Sequence, residues 1–109
     1  MTRESVKKSL LRKQKKKAHL ARREILAESN PDMLFLGDPG CTMYDDALLG
    51  TAERQGFAVA CYDYEKCIEV LMKESEMDVH EAREWMEFNV IGAGVGENGP
   101  VFLYRYESF

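Results

Sequence analysis

The chain has 109 residues, 45% of them hydrophobic, with 15 Lys and Arg against 19 Asp and Glu for a net charge of −4. This fits one small globular domain with a terminal appendage, and no apolar run approaches the ~18 residues that a membrane span needs. The basic start lacks the apolar stretch of a secretory signal, so the expected location is cytoplasmic, with no membrane partner.

The mild average conceals a polarised chain. Residues 1–28 hold ten basic groups against Glu4, Glu24 and Glu28, a net of +7, and the remainder holds five against sixteen acids, a net of −11. Residues 3–28 contain neither Gly nor Pro and predict one long helix. At 100° per residue, Val6, Leu10, Leu11, Ala18, Ala21 and Ile25 form an apolar stripe, while Lys8, Arg12, Lys15, Lys16, Arg22 and Arg23 gather on another face. Ser29-Asn30-Pro31 ends this helix, because proline disfavours a helical residue before it.

Met33 to Leu36 is a short apolar run with strand character, followed by a Gly37-Asp38-Pro39-Gly40 turn. Residues 44–55 read as a helix with Leu48, Leu49 and Ala52 inward and Gly56 as its stop. Phe57 to Tyr62 predicts a strand, and Asp63 is placed to cap the next helix, about 64–74. There Tyr64, Cys67, Ile68, Leu71 and Met72 recur at helical spacing opposite charged residues. Asp78 and Glu81 have the spacing of a capping box, and the helix they open, about 79–91, would bury Val79, Ala82, Trp85, Met86 and Val90. A glycine-rich loop, 92–100, leads to a final strand, Val101 to Tyr106. The fold class is therefore α+β, with a basic helical arm over residues 1–30. An acidic domain over 31–109 follows, with two or three short strands packed on a helical hairpin.

Few residues suggest chemistry. Gly94, Gly96 and Gly99 match G-x-G-x-x-G, but a dinucleotide loop follows a strand and opens a helix, whereas this one does the reverse and carries Glu97. It reads instead as a contact loop, with Gly94, Gly96, Glu97 and Asn98 as the contact residues. Cys41, Cys61, Cys67, His19 and His80 have no zinc spacing, so neither a metal nor a cofactor is expected. Asp45, Asp46, Asp63 and Glu65 are the carboxylates from which a metal-dependent hydrolase would have to be built. Asp45 suits a helix start and Asp63 a cap, so no catalytic residue is assigned. Cations on one helix face can each neutralise a phosphate, without base specificity.

From Tyr62 onward the chain resembles a group of small bacteriophage and prophage proteins. The residues that carry the likeness are Tyr62 to Met72, Met77, Glu81-Ala82, Glu87-Phe88-Asn89-Val90-Ile91-Gly92-Ala93, Val95-Gly96-Glu97 and Pro100-Val101-Phe102. Such proteins often carry an aromatic residue where this chain has Gly94. The resemblance implies a phage accessory product acting in the bacterial cytoplasm, with no activity to carry over. Its expected role is non-enzymatic binding, in which the basic helix meets host nucleic acid or an acidic face of a host protein. The alternative is a protein-only inhibitor of a host enzyme that acts through its acidic body and forms a homo-oligomer through the helix.

Overall fold

The structure is a computed structural model and describes residues 2–37 and 40–105. It opens with α1 (Arg3–Leu26), about 36 Å long at 1.5 Å per residue. The Thr2 side chain accepts a hydrogen bond from the Ser5 amide at 3.1 Å and caps it. A 3₁₀ turn, Ala27–Ser29, continues the helix to Asn30, whose side chain ties down the exit. Asn30 Nδ2 donates to the carbonyl of Ala58 and to Asn98 Oδ1, both at 2.9 Å, so one amide joins the helix end, the sheet and the glycine-rich loop.

Residues 33–36 form no strand: Met33 to Phe35 have no regular structure and Leu36 lies in a turn. Their backbone is satisfied elsewhere: the Leu34 amide donates to the Asn98 carbonyl at 3.0 Å, and the Leu36 amide to the Tyr62 hydroxyl at 2.9 Å. Met33 and Phe35 are still buried, with Leu34 between them exposed.

The helix expected over 44–55 is not formed. A single 3₁₀ turn, Asp45–Ala47, leads into β1 (Leu48–Arg54), which pairs antiparallel with β2 (Phe57–Asp63). Gln55 and Gly56 close the hairpin with φ of 52° and 86°, the positive pair that a type I′ turn requires. Gly56 is thus a hairpin residue rather than a helix stop. Leu48 pairs with Tyr62 but Gly50 with Cys61, so a bulge at Leu49 turns that side chain to solvent.

Asp63 accepts from the Lys66 amide at 3.2 Å and starts α2 (Tyr64–Glu74). Its apolar face is Tyr64, Cys67, Ile68, Val70 and Leu71, while Met72 is exposed. The expected capping box is present: the Glu81 amide donates to Asp78 Oδ1 at 2.8 Å and opens α3 (Val79–Asn89). Ala82 and Met86 are buried, Trp85 and Val90 half-buried, and Val79 exposed in the first turn. This helix ends at Asn89, two residues before its expected end, and Ile91–Ala93 forms a 3₁₀ turn.

Strand β3 (Val101–Leu103) runs parallel to β2, giving the order β1-β2-β3. It stops short of the expected Tyr106, which lies outside the described residues. A parallel pair needs a long crossover, and α2 with α3 supplies it. Tyr62, Ala60, Cys67, Leu71, Ala82 and Met86 lie at the centre of the core, with Phe35, Tyr44 and Leu48 beside them. The architecture is α+β, and no described helix is long and apolar enough to cross a membrane.

Candidate nucleic-acid interface

The basic helix is held by its C-terminal half, and a buried ion pair fixes it. Arg23 is 5% exposed and Asp45 is fully buried. Arg23 Nε donates to Asp45 Oδ2 at 2.9 Å, and Nη2 donates to Asp45 Oδ1. Nη2 also donates to the carbonyls of Leu36 and Cys41 at 2.9 and 2.8 Å, and the guanidinium lies 5.3 Å from the centre of the Phe35 ring. This fork-on-carboxylate geometry suits Arg and not Lys. Asp45 opens a 3₁₀ turn instead of the expected helix, and its side chain receives a cation from 22 residues upstream.

Two weaker contacts extend the seam. Arg22 donates to the Asp45 carbonyl at 2.6 Å, and Lys15 Nζ meets Asp46 Oδ2 at 3.0 Å. The hydrogen bond from Lys15 holds the Asp46 carboxyl below its ordinary range, against an opposing effect of partial burial. His19 Nε2 lies 3.5 Å from Asp46 Oδ1.

The helix thus docks on its cationic side and turns its apolar stripe outward. Val6, Leu10, Leu11 and Ile25 are 42%, 54%, 54% and 63% exposed. The buried Arg23–Asp45 pair holds this orientation, since a lone buried charge left by removing either partner costs about 3–5 kcal/mol.

Of the six cations grouped by the sequence, Lys15, Arg22 and Arg23 face the protein's own body. Lys8, Arg12 and Lys16 make no ion pair among the described residues, and neither do Arg3, Lys7, Lys13 and Lys17. Lys8, Arg12 and Lys16 succeed one another at i, i+4 and i+8, so their ammonium and guanidinium groups share one face over about 12 Å. Like charges at that spacing each cost the helix about 0.2–0.5 kcal/mol, which an anionic polymer would relieve. No aromatic residue occurs before Phe35, so this segment offers charge without base stacking.

The loop residues are fastened rather than free. The Gly96 carbonyl accepts from Arg54 Nη2 at 2.8 Å, and Asn98 accepts from Leu34 and Asn30. Gly94 and Gly96 adopt positive φ, and Glu97 is exposed. Gly94 and Gly96 line a cavity together with Phe35, Trp85 and Phe102.

The remaining carboxylates do not converge. Asp63 caps α2 and pairs with Arg105 at 3.1 Å, and Glu65 pairs with Arg83 at 3.2 Å. Among the described residues no group of three or more His, Cys, Asp or Glu is placed to hold a metal ion. Burial pushes the Cys67 thiol up to about 12, away from any nucleophilic role near neutrality.

Sequence patterns do not reveal Asn30 as a three-way tie, or Arg54 as the loop's anchor, since neither belongs to a local motif. No protein-family model, curated protein or solved structure matches the chain.

Proposed function

We propose that this protein is a non-enzymatic bacteriophage accessory protein whose basic helix binds the phosphate backbone of nucleic acid in the host cytoplasm. One observation carries the reading: α1 is pinned at Arg23, while seven cations over residues 3–17 lack an acidic partner among the described residues. The anchor fixes where those charges sit, so less ordering cost falls on binding than for a floppy basic tail. A duplex offers one charge per ~1.7 Å of axis, so phosphates outnumber the cations that Lys8, Arg12, Lys13 and Lys16 present along it. Such contacts give affinity and register but no sequence preference, with a dissociation constant of roughly 10⁻⁴–10⁻⁶ M at physiological salt.

The test uses fluorescence anisotropy with a labelled duplex and the variant Lys8→Gln/Arg12→Gln/Lys13→Gln/Lys16→Gln. This variant retains Arg23, whereas removing residues 1–28 would also remove the buried anchor and confound binding with unfolding. Loss of binding by at least about tenfold is expected. Unchanged affinity in a variant with wild-type thermal stability would show that α1 is not the contact.

A further inference from the structure

The cavity between α3, the Leu34–Gly37 segment and the 90–102 loop plays no part in phosphate binding by α1. Its volume is about 650 Å³, within the usual range for small-molecule sites. Phe35, Trp85, Val90, Ile91 and Phe102 make its lining largely apolar.

Three polar side chains interrupt that lining, and one of them, Asn89 on α3, donates to the Trp85 carbonyl at 3.2 Å. Arg54, at the end of β1, spends one N–H on the Gly96 carbonyl and has no carboxylate partner among the described residues. It is one of five basic residues in a segment that holds sixteen acids, so an unpaired cation here stands out. Tyr44 lines the same cavity and is 5% exposed, and its hydroxyl is buried with no hydrogen-bond partner among the described residues. Gly94 and Gly96 hold φ of 62° and 88°, which leaves backbone instead of side chains at the cavity rim.

We propose that this cavity binds a small apolar carboxylate. The hydrocarbon part lies against Phe35, Trp85 and Phe102, and the carboxylate meets the N–H groups that Arg54 does not use. A charge-assisted hydrogen bond in a largely apolar site favours the anion over a neutral molecule of the same shape. The glycine-rich loop then serves as the wall of a binding site rather than as a bare connection.

Trp85 is the only tryptophan and lines the cavity, so its emission reports on occupancy. The full-length protein is titrated with decanoate, decanol and acetate, each below any self-assembly concentration. Decanoate should shift Trp85 emission saturably, decanol should bind roughly tenfold more weakly or worse, and acetate should have no effect. Arg54→Gln should weaken decanoate binding by a similar factor without changing the response to decanol, and Arg54→Lys should retain most of it.

Because α1 is cationic with an exposed apolar stripe, backbone amide shifts must locate the ligand. Perturbation at residues 85–102 supports the site, and perturbation confined to residues 3–26 overturns it. The proposal also fails if no saturable response occurs, if decanol matches decanoate, or if Arg54→Gln binds decanoate as the wild type does.

Discussion

Replacing Asp45 with Ala removes the carboxylate that receives Arg23 and leaves a guanidinium, 5% exposed, that keeps its bonds to the Leu36 and Cys41 carbonyls. Removing one partner of a buried pair costs about 3–5 kcal/mol, since the survivor keeps its desolvation penalty without its counter-charge. The retained bonds to Leu36 and Cys41 place Asp45→Ala near the lower end, at about 3 kcal/mol. A chain of this length is stabilised by about 5–15 kcal/mol in total, so this one change removes a fifth or more of it. With a urea dependence of ~1.5 kcal/mol per molar, the midpoint falls by about 2 M. Urea titration followed by both circular dichroism and Trp85 fluorescence measures this. Arg22→Met, which loses only a bond to a backbone carbonyl, should cost under about 1 kcal/mol. Replacing both partners, Arg23→Met with Asp45→Leu, should cost less than the two single changes summed, because no lone buried charge remains. A midpoint shift below about 0.5 M for Asp45→Ala would refute the anchor.

Three further outcomes follow from other parts of the structure. The Asp46 carboxyl titrates lower when folded than when unfolded, so its contribution is present above its ordinary value near pH 4 and is lost as pH falls through the folded value. The stability gap between wild type and Asp46→Asn should therefore be open at about pH 6 and shrink toward about pH 2, and a gap that widened on acidification would contradict the pairing with Lys15. Cys67, fully buried with its thiol raised to about 12, should resist iodoacetamide at about pH 8 while exposed Cys41 reacts, as peptide mass mapping would read. Equal rates for the two would mean that the core opens readily. Asp78→Ala, which removes the capping box of α3, should lower stability by about 1 kcal/mol, and a change under a few tenths would show that the cap contributes little.

The helices were largely legible because their signals are local. The apolar spacing of α2 and the Asp78/Glu81 pair of α3 lie within a few residues of sequence, and the absence of Gly and Pro fixed the span of α1. Strand β1 is hidden in the sequence for a physical reason: Leu48, Leu49, Ala52, Glu53 and Arg54 favour a helix intrinsically, and pairing with β2 overrides that preference. Gln55-Gly56 does not decide between them by sequence, since Gly56 suits a helix end and a type I′ hairpin alike.

The orientation of α1 was invisible for another reason. The cationic face and the apolar stripe were both evident, but the choice between them rests on a buried carboxylate 22 residues away. Asp45 suits a helix start because its neighbours favour a helix. The segment instead forms a 3₁₀ turn and a strand, and the Asp45 side chain meets Arg23.

On the proposed function, Lys8, Arg12 and Lys16 bind phosphates from one face of a helix anchored at Arg23, with Lys13 beside that face. The most direct test is the salt dependence of duplex binding between low and physiological ionic strength. Four phosphate contacts predict a slope of about −3 to −4 in log affinity against log salt. The slope should be much shallower in the four-Gln variant, where over residues 3–17 only Arg3, Lys7 and Lys17 remain unpaired among the described residues. A slope near zero for the wild type, or one the substitutions leave unchanged, would contradict the account.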